Sequence, residues 1–253
     1  MADYFNAPDI AAKRALFIGL IDVDRQRGVA THEIVIAGGT VTKRFTSWVR
    51  AEHEREWTVL SRLHEHVPGL GPVPLTADLD ACPPSVTMSA VPGTPLSGKL
   101  TGAQFDALEV ALRQLWSVPA GGLPLRRYRP REVVALVRRD FTAWPARSGV
   151  VGEAVATVAA YLAGSEVADR HDTVLGHSDP NLANYLWDGA RVRVVDFEDA
   201  GRSDPVYELA TLVEHLSARE TDCTGSLSGS PSTPPNCWPG GASTRCCGCT
   251  RCC

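Results

Sequence analysis

The stretch LGHSDPNLANYLWDGARVRVVDFEDAGRSDPVYELATL, residues 175–212, decides the fold. Three polar residues stand out in it: Asp179, Asn184 and Asp196. Asp179 and Asn184 lie five positions apart, across a loop that contains Pro180. Asp196 closes an apolar segment, predicted as a strand over residues 191–196, and opens the run Asp196-Phe197-Glu198-Asp199-Ala200. A strand that ends in aspartate sets its carboxylate at a fixed place on a wall. Short strands are also predicted over residues 173–175 and 185–187, and a helix from about Pro205 to Ser217.

These residue types suit one chemistry. Phosphoryl transfer asks little covalent work of a protein. It needs a carboxylate to take the proton of the attacking hydroxyl, and hard oxygen ligands that hold Mg²⁺ against a triphosphate. Asp179 fits the base. Asn184 and Asp196 fit the metal ligands. Glu198 and Asp199 either assist the metal or cap the turn.

Upstream, the pattern changes from β-rich to helical. THEIVIAGGTVTKRF, residues 31–45, reads as strand, Gly38-Gly39 turn, strand. A helix is expected over about Ser47–Glu65, with Val49, Glu56, Leu60 and Leu63 on one face. Its histidines, His53, His64 and His66, read as solvated. Two strands follow, near Pro74–Ala77 and Ser85–Ala90. VPGTPLSG, residues 91–98, reads as the connector between two lobes with a cleft between them. Thr101 is the expected N-cap of a helix carrying Phe105, Leu108, Leu112 and Leu115. Pro130 suits a second helix start, and a third helix is expected over Glu153–Leu162.

The 175–212 stretch resembles the catalytic core of the aminoglycoside phosphotransferase and choline kinase-like family. That pattern is H-G-D-x-x-x-x-N, an apolar strand ending D-[FW]-E-D-A, then G-D-P-x-x-[DE]-L-A. Here it reads His177-Ser178-Asp179, Asn184, Asp196 to Ala200, and Ser203-Asp204-Pro205 with Glu208-Leu209-Ala210. The resemblance implies an α+β, two-lobed protein-kinase-like fold with a small β-rich N-lobe and a larger, mainly helical C-lobe. It implies Asp179 as catalytic base, Asn184 and Asp196 as metal ligands, His177 as loop support and Asp204 as a buried brace. An N-cap role would equally suit Asp204. Two departures stand out. Ser178 and Ser203 replace glycines, and serine reaches positive φ less cheaply than glycine does.

A kinase of this type also needs a cation for the α- and β-phosphates and an acid to hold it. Lys43 is the candidate cation. On strand alternation it shares the apolar side with Val41 and Phe45, while Arg44 points the other way. Glu56 is the candidate acid, because a carboxylate within a stripe of core positions is costly unless paired. It precedes Leu60 and Leu63 as the family's acid does. Glu52 and Glu54 compete with it. Met88 and Ala90 occupy the place where the lobe connector would meet adenine, with backbone groups making the bonds. Gly28 is the only glycine available for a phosphate-covering loop.

Composition bounds the rest. The chain has 253 residues, 44% apolar and 21% charged, with a formal net charge of −4. That is ordinary for a globular protein and gives no basic excess for nucleic acid or an anionic membrane. An apolar patch, Ala15–Ile21, is too short to span a bilayer. No signal peptide is read at the start, and a cytoplasmic enzyme is expected. Seven of the eight cysteines follow Ala218 in a Gly/Pro/Ser/Thr-rich tail. The tail reads as a disordered or aberrant terminus in place of further helices. Its C-x-x-C-x-x-C spacing, Cys246, Cys249 and Cys252, is the competing thiolate metal reading. The expected divisions are 1–92, an N-terminal nucleotide-binding lobe; 93–220, a C-terminal catalytic lobe; and 221–253, the tail. The expected activity is ATP- and Mg²⁺-dependent transfer of a phosphoryl group to a hydroxyl of a small polar molecule, such as an aminoglycoside, amino alcohol or sugar. An inert nucleotide-binding relative and a metal-dependent phosphohydrolase are the alternatives.

Overall fold

Gly38 and Gly39 both take positive φ, 56° and 78°. A tight hairpin demands this, because such a turn must match the twist of its strands. They join β1 (Glu33–Ala37) to β2 (Thr40–Arg44). In this computed structural model residues 32–143, 148–163, 173–218, 220 and 221 are described. The apolar patch Ala15–Ile21, Gly28 and the cysteine-rich tail beyond residue 221 lie outside them. Two compact units are distinguished. The described residues of Tyr128–Arg170 belong to one, and those of Ile34–Arg127 and His171–Cys253 to the other.

In the larger unit a four-stranded sheet has the order β1-β2-β4-β3, with β3 at Pro74–Asp78 and β4 at Ser85–Ser89. β2 runs antiparallel to β4 and sets Lys43 opposite Val86. Helix α1 (Glu52–His66) lies against β3 and β4. It begins later than the sequence pattern predicts. Ala51 is left-handed, φ 56°, so the helix cannot extend back through it, and Val49 is left 92% exposed before the helix. His53 also departs from expectation. It is 5% exposed and packs its ring 5.9 Å from that of Phe45. His64 and His66 are exposed as expected.

Part of the expected connector is itself a strand, β5 (Thr94–Pro95). Helix α2 (Gly102–Ser117) starts as the sequence predicts. Thr101 and Gln104 form a capping box that satisfies two otherwise unpaired N–H groups. Its buried face, Leu108, Ala111, Leu112 and Leu115, lies against two short sheets. One sheet has the order β5-β7-β8, with β7 at Tyr185–Trp187 and β8 at Val192–Val194. The other pairs β6 (Val174–Gly176) with β9 (Gly201–Ser203). Residues 201–203 had no strand signal in sequence; the pairing with β6 alone makes them one. Helix α5 (Pro205–Glu214) follows, with Pro205 in its first turn and Asp204 as N-cap; the expected helix to Ser217 finishes instead as a 3₁₀ turn, Leu216–Ala218.

In that smaller unit, α3 (Pro130–Ala143) and α4 (Gly149–Ala163) pack on each other, and Arg138 Nη2 donates to the Leu162 carbonyl at 2.6 Å. No helix among the described residues is long and apolar enough to cross a membrane.

Candidate active site

Lys43 projects from β2 on the same side as Phe45 and is 5% exposed, whereas Arg44 is exposed. Its Nζ meets three carboxylates: Glu56 Oε2 at 2.8 Å, Asp196 Oδ1 at 2.5 Å and Glu198 Oε2 at 2.5 Å. Burial acts against the ammonium, but Glu56, Asp196 and Glu198 together outweigh it and hold the pKa well above the usual lysine range. Glu56 is buried too. Burial pushes its carboxyl up and Asp196 adds to this, while Lys43 and the Phe197 N–H, 3.2 Å from Oε1, pull it back only in part. The competing acids are occupied or remote. Glu52 accepts from the Arg50 backbone N–H at 2.9 Å and side chain at 3.0 Å, and Glu54 is exposed.

The carboxylates of Glu56, Asp196 and Glu198 lie within 4.8 Å of one another. Asp199, next in the chain, turns away from them. It pairs with Arg50 Nη1 at 2.6 Å, and Arg55 Nη1 donates to the Glu198 carbonyl at 2.5 Å. Asp196 itself sits at φ 67°. Aspartate tolerates this left-handed conformation better than most residues, and such conformations gather at functional sites.

Asp179 and Asn184 are joined directly: Asn184 Nδ2 donates to Asp179 Oδ2 at 2.8 Å. Asp179 Oδ1 accepts the Asn181 N–H at 3.2 Å. His177, fully buried, connects this loop to the strand end before Asp196. Its Nε2 lies 2.8 Å from the Val195 carbonyl, and its Nδ1 accepts the Asp179 N–H at 3.4 Å. Both contacts fit the tautomer with the proton on Nε2. The Val195 N–H in turn donates to the Asn184 carbonyl at 3.0 Å. Thus the five residues expected to carry the chemistry form two linked groups. Lys43 and Glu56 reach Asp196, and Asp179 and Asn184 reach the residue before it.

Ser178 shows the expected cost of a missing glycine. Its φ is 67°, and its hydroxyl is buried with no hydrogen-bond partner among the described residues. Ser203 shows no such cost: it lies in β9 at ordinary φ and donates its hydroxyl to Glu208 at 2.6 Å. Ser178→Gly is expected to stabilise the protein by about 1 kcal/mol, the left-handed strain and orphaned hydroxyl outweighing the added chain entropy. Thermal unfolding should show a Tm higher by roughly 2–4 °C. A Tm equal to or below that of the parent would show that the strain is absent.

Asp204 is not the buried brace. It is half-buried, and its Oδ1 accepts the Tyr207 N–H at 3.0 Å, which caps α5. The buried acid is Glu208, one turn further on, whose Oε2 accepts the Ser178 N–H at 3.2 Å. The signal for it was present in the sequence: a carboxylate four residues before Leu212, on the buried face of its helix. At the connector, Met88 packs in the core and the Ala90 N–H donates to the Gly39 carbonyl at 2.8 Å, so neither of those groups faces outward. A cavity of about 640 Å³ lies away from all these residues, between the Pro68–Leu70 turn, α2 and the β7–β8 turn.

Residues 39–224 match the phosphotransferase enzyme family (APH), and the chain belongs to that family. No curated protein sequence matches it. Among solved structures, the macrolide 2′-phosphotransferase MphH of Brachybacterium faecium aligns at TM-score 0.52 and 17% identity, over 81% of this chain and 77% of that one. The streptomycin–ATP ternary complex of APH(2")-IIa aligns at TM-score 0.51 and 15% identity, over 80% and 78%. Aminoglycoside phosphotransferase APH(3'')-Id from Streptomyces rimosus aligns at TM-score 0.46 and 24% identity, over 81% and 84%. The first two likenesses give the fold, which is protein-kinase-like: a β-rich lobe followed by a mainly helical one.

Proposed function

We propose that this chain is a small-molecule kinase that moves the γ-phosphate of ATP to a hydroxyl of a small polar acceptor. The convergence of Lys43, Glu56 and Asp196, joined through His177 and Val195 to Asp179 and Asn184, supports this reading above all. In the mechanism that follows, Asp179 accepts the acceptor's hydroxyl proton as its oxygen attacks the γ-phosphorus. The bond from that phosphorus to the β,γ-bridging oxygen breaks, and ADP leaves. Lys43 contacts the α- and β-phosphates and is oriented by Glu56.

Hard oxygens suit magnesium, and the site offers them. Asn184 spends its amide nitrogen on Asp179, which leaves the amide oxygen as its ligand atom, and the Asp196 side chain is 42% exposed. Asn184 and Asp196 would hold Mg²⁺, which neutralises charge on the phosphates when bound. Adenine would lie along the connector at Met88 and Ala90. With the Ala90 N–H committed to Gly39, the base would be read by backbone groups beyond it.

The test is transfer of label from γ-labelled ATP, with and without Mg²⁺, across aminoglycosides, amino alcohols and sugars. Magnesium-dependent labelling of one acceptor class is expected. Hydrolysis of phosphoesters with no need for ATP would replace the proposal with a phosphohydrolase. Binding of ATP with no turnover on any acceptor would leave an inert nucleotide binder.

A further inference from the structure

The turn that follows α5 holds a serine against the loop of Asp179 and Asn184. Within that loop Leu182–Asn184 is a 3₁₀ turn, and each of its N–H groups has a partner. The Ala183 N–H donates to Asn181 Oδ1 at 3.1 Å and the Asn184 N–H to the Asn181 carbonyl at 3.0 Å, both inside the loop. The Leu182 N–H donates outside it, to Ser217 Oγ at 2.9 Å. Leu182 is fully buried, so without that oxygen a buried donor would lose its bond.

The serine is both aimed and anchored. Its N–H donates to His215 Nδ1 at 3.2 Å, and its hydroxyl lies 2.8 Å from the same nitrogen. A ring nitrogen that accepts from an N–H carries no proton, so the hydroxyl donates to it as well. The lone pairs of Oγ are thereby left to the Leu182 N–H. The next residue, Ala218, is buried in the core, and Thr221 Oγ1 donates to the Gly98 carbonyl at 2.7 Å. The segment that carries Ser217 is therefore fixed on both sides, by α5 before it and by the connector after it.

We propose that Ser217, aimed by His215, is a positioning residue that sets the place of Asn184 by accepting the Leu182 N–H. The inference rests on the reading of Asn184 as a metal ligand. Asn184 closes the turn that Leu182 opens. Among the described residues, two hydrogen bonds reach that turn from outside its loop: Leu182 N–H to Ser217, and Val195 N–H to the Asn184 carbonyl. Val195 stands beside Asp196, the other proposed ligand, and moves with it. Ser217 supplies a point of reference outside the metal site. A ligand oxygen held in place beforehand binds a cation without first having to be ordered.

The experiment compares the full chain with Ser217→Ala, Ser217→Thr and His215→Leu. Two readouts are taken: amide hydrogen exchange at Leu182 against amides of α2, and the affinity for Mn²⁺ in the presence of ADP, followed by water-proton relaxation. Mn²⁺ takes the same kinds of oxygen ligand as Mg²⁺. In Ser217→Ala, loss of one neutral hydrogen bond should raise exchange at Leu182 about fivefold with α2 unchanged. Mn²⁺ affinity should fall about fivefold, while ADP affinity without metal stays within about twofold. Ser217→Thr keeps the hydroxyl and should return both quantities to within about twofold of the parent. His215→Leu lets the hydroxyl turn away and should shift both in the same direction by about twofold.

The proposal is overturned if Ser217→Ala leaves Leu182 exchange unchanged, or if exchange rises equally in α2. It is also overturned if exchange rises at Leu182 while Mn²⁺ affinity stays that of the parent, which would make Ser217 a structural residue only. Should Ser217→Ala fail to fold, His215→Leu decides on the same two readouts: a shift in both supports the role, and a shift in one or neither overturns it. If the parent binds no Mn²⁺ with ADP, the reading of Asn184 as a metal ligand fails, while the exchange comparison still decides whether Ser217 fixes the turn.

Discussion

Asp179→Asn should lower phosphoryl transfer by about 10²- to 10⁴-fold while ATP affinity stays within about twofold. The loss should be this large because the substitution removes a proton acceptor and little else. The new amide oxygen can still accept from Asn184 Nδ2, which leaves the Asn184 oxygen free for the metal, and only the longer bond from the Asn181 N–H is given up. The loop is also held from outside by His177 and Glu208, whose bonds do not involve the Asp179 side chain. Single-turnover rates at saturating Mg·ATP, with ATP affinity measured separately, give both quantities. A variant as fast as the parent on every acceptor would mean that the proton goes elsewhere and that Asp179 is only a loop residue.

Lys43→Met should be costly in two distinct ways. The first is stability. Lys43 is the cation shared by Glu56, Asp196 and Glu198, and breaking a buried ion pair by removing one partner typically costs about 3–5 kcal/mol. The second is a steeper pH dependence. In the parent, the raised lysine pKa contributes stability that is present below the unfolded-state value and lost only in strongly alkaline solution, so across neutral pH it is constant. Without Lys43, Glu56 loses the ion pair that pulls its carboxyl down, and burial raises it further. A folded carboxyl with a raised pKa binds more protons than the unfolded chain, so stability falls as pH rises above the ordinary carboxylate range. Between about pH 5 and about pH 8 the variant should therefore lose more Tm than the parent does. Equal slopes would show that Glu56 does not depend on Lys43 for its charge. If Lys43 also contacts phosphates, KM for ATP should rise in the same variant at pH 5, where the fold survives best.

Much of this site was legible because its side chains contradict their local pattern. Lys43 stood on the apolar side of a strand and Glu56 within an apolar helix stripe, and each explains the other at 2.8 Å. Capping signals at Thr101 and Pro205 also read true, since they depend on neighbours in sequence. What escaped was non-local. The strand at Gly201–Ser203 exists only because β6 lies beside it. Val49 continued the helical spacing, but the left-handed Ala51 ended the helix before reaching it. His53 looked like surface until the ring of Phe45 was placed beside it. Glu208 and Asp204 were both visible as acids around Pro205. Only the fold shows that the nearer one caps its own helix and the farther one reaches back to the loop.

The contacts of Arg50 and Arg55 with Asp199 and the Glu198 carbonyl have a mechanical consequence. Helix α1 and the segment after Asp196 are fastened at the Glu56–Phe197 bond and again at these arginines, so neither can pivot without the other. The arginine side of the fastening is partly open to solvent and weakens with salt, whereas the buried side is shielded from it. Rising ionic strength would thus loosen the outer stitch first and let the helix rock about Glu56 as its hinge pin.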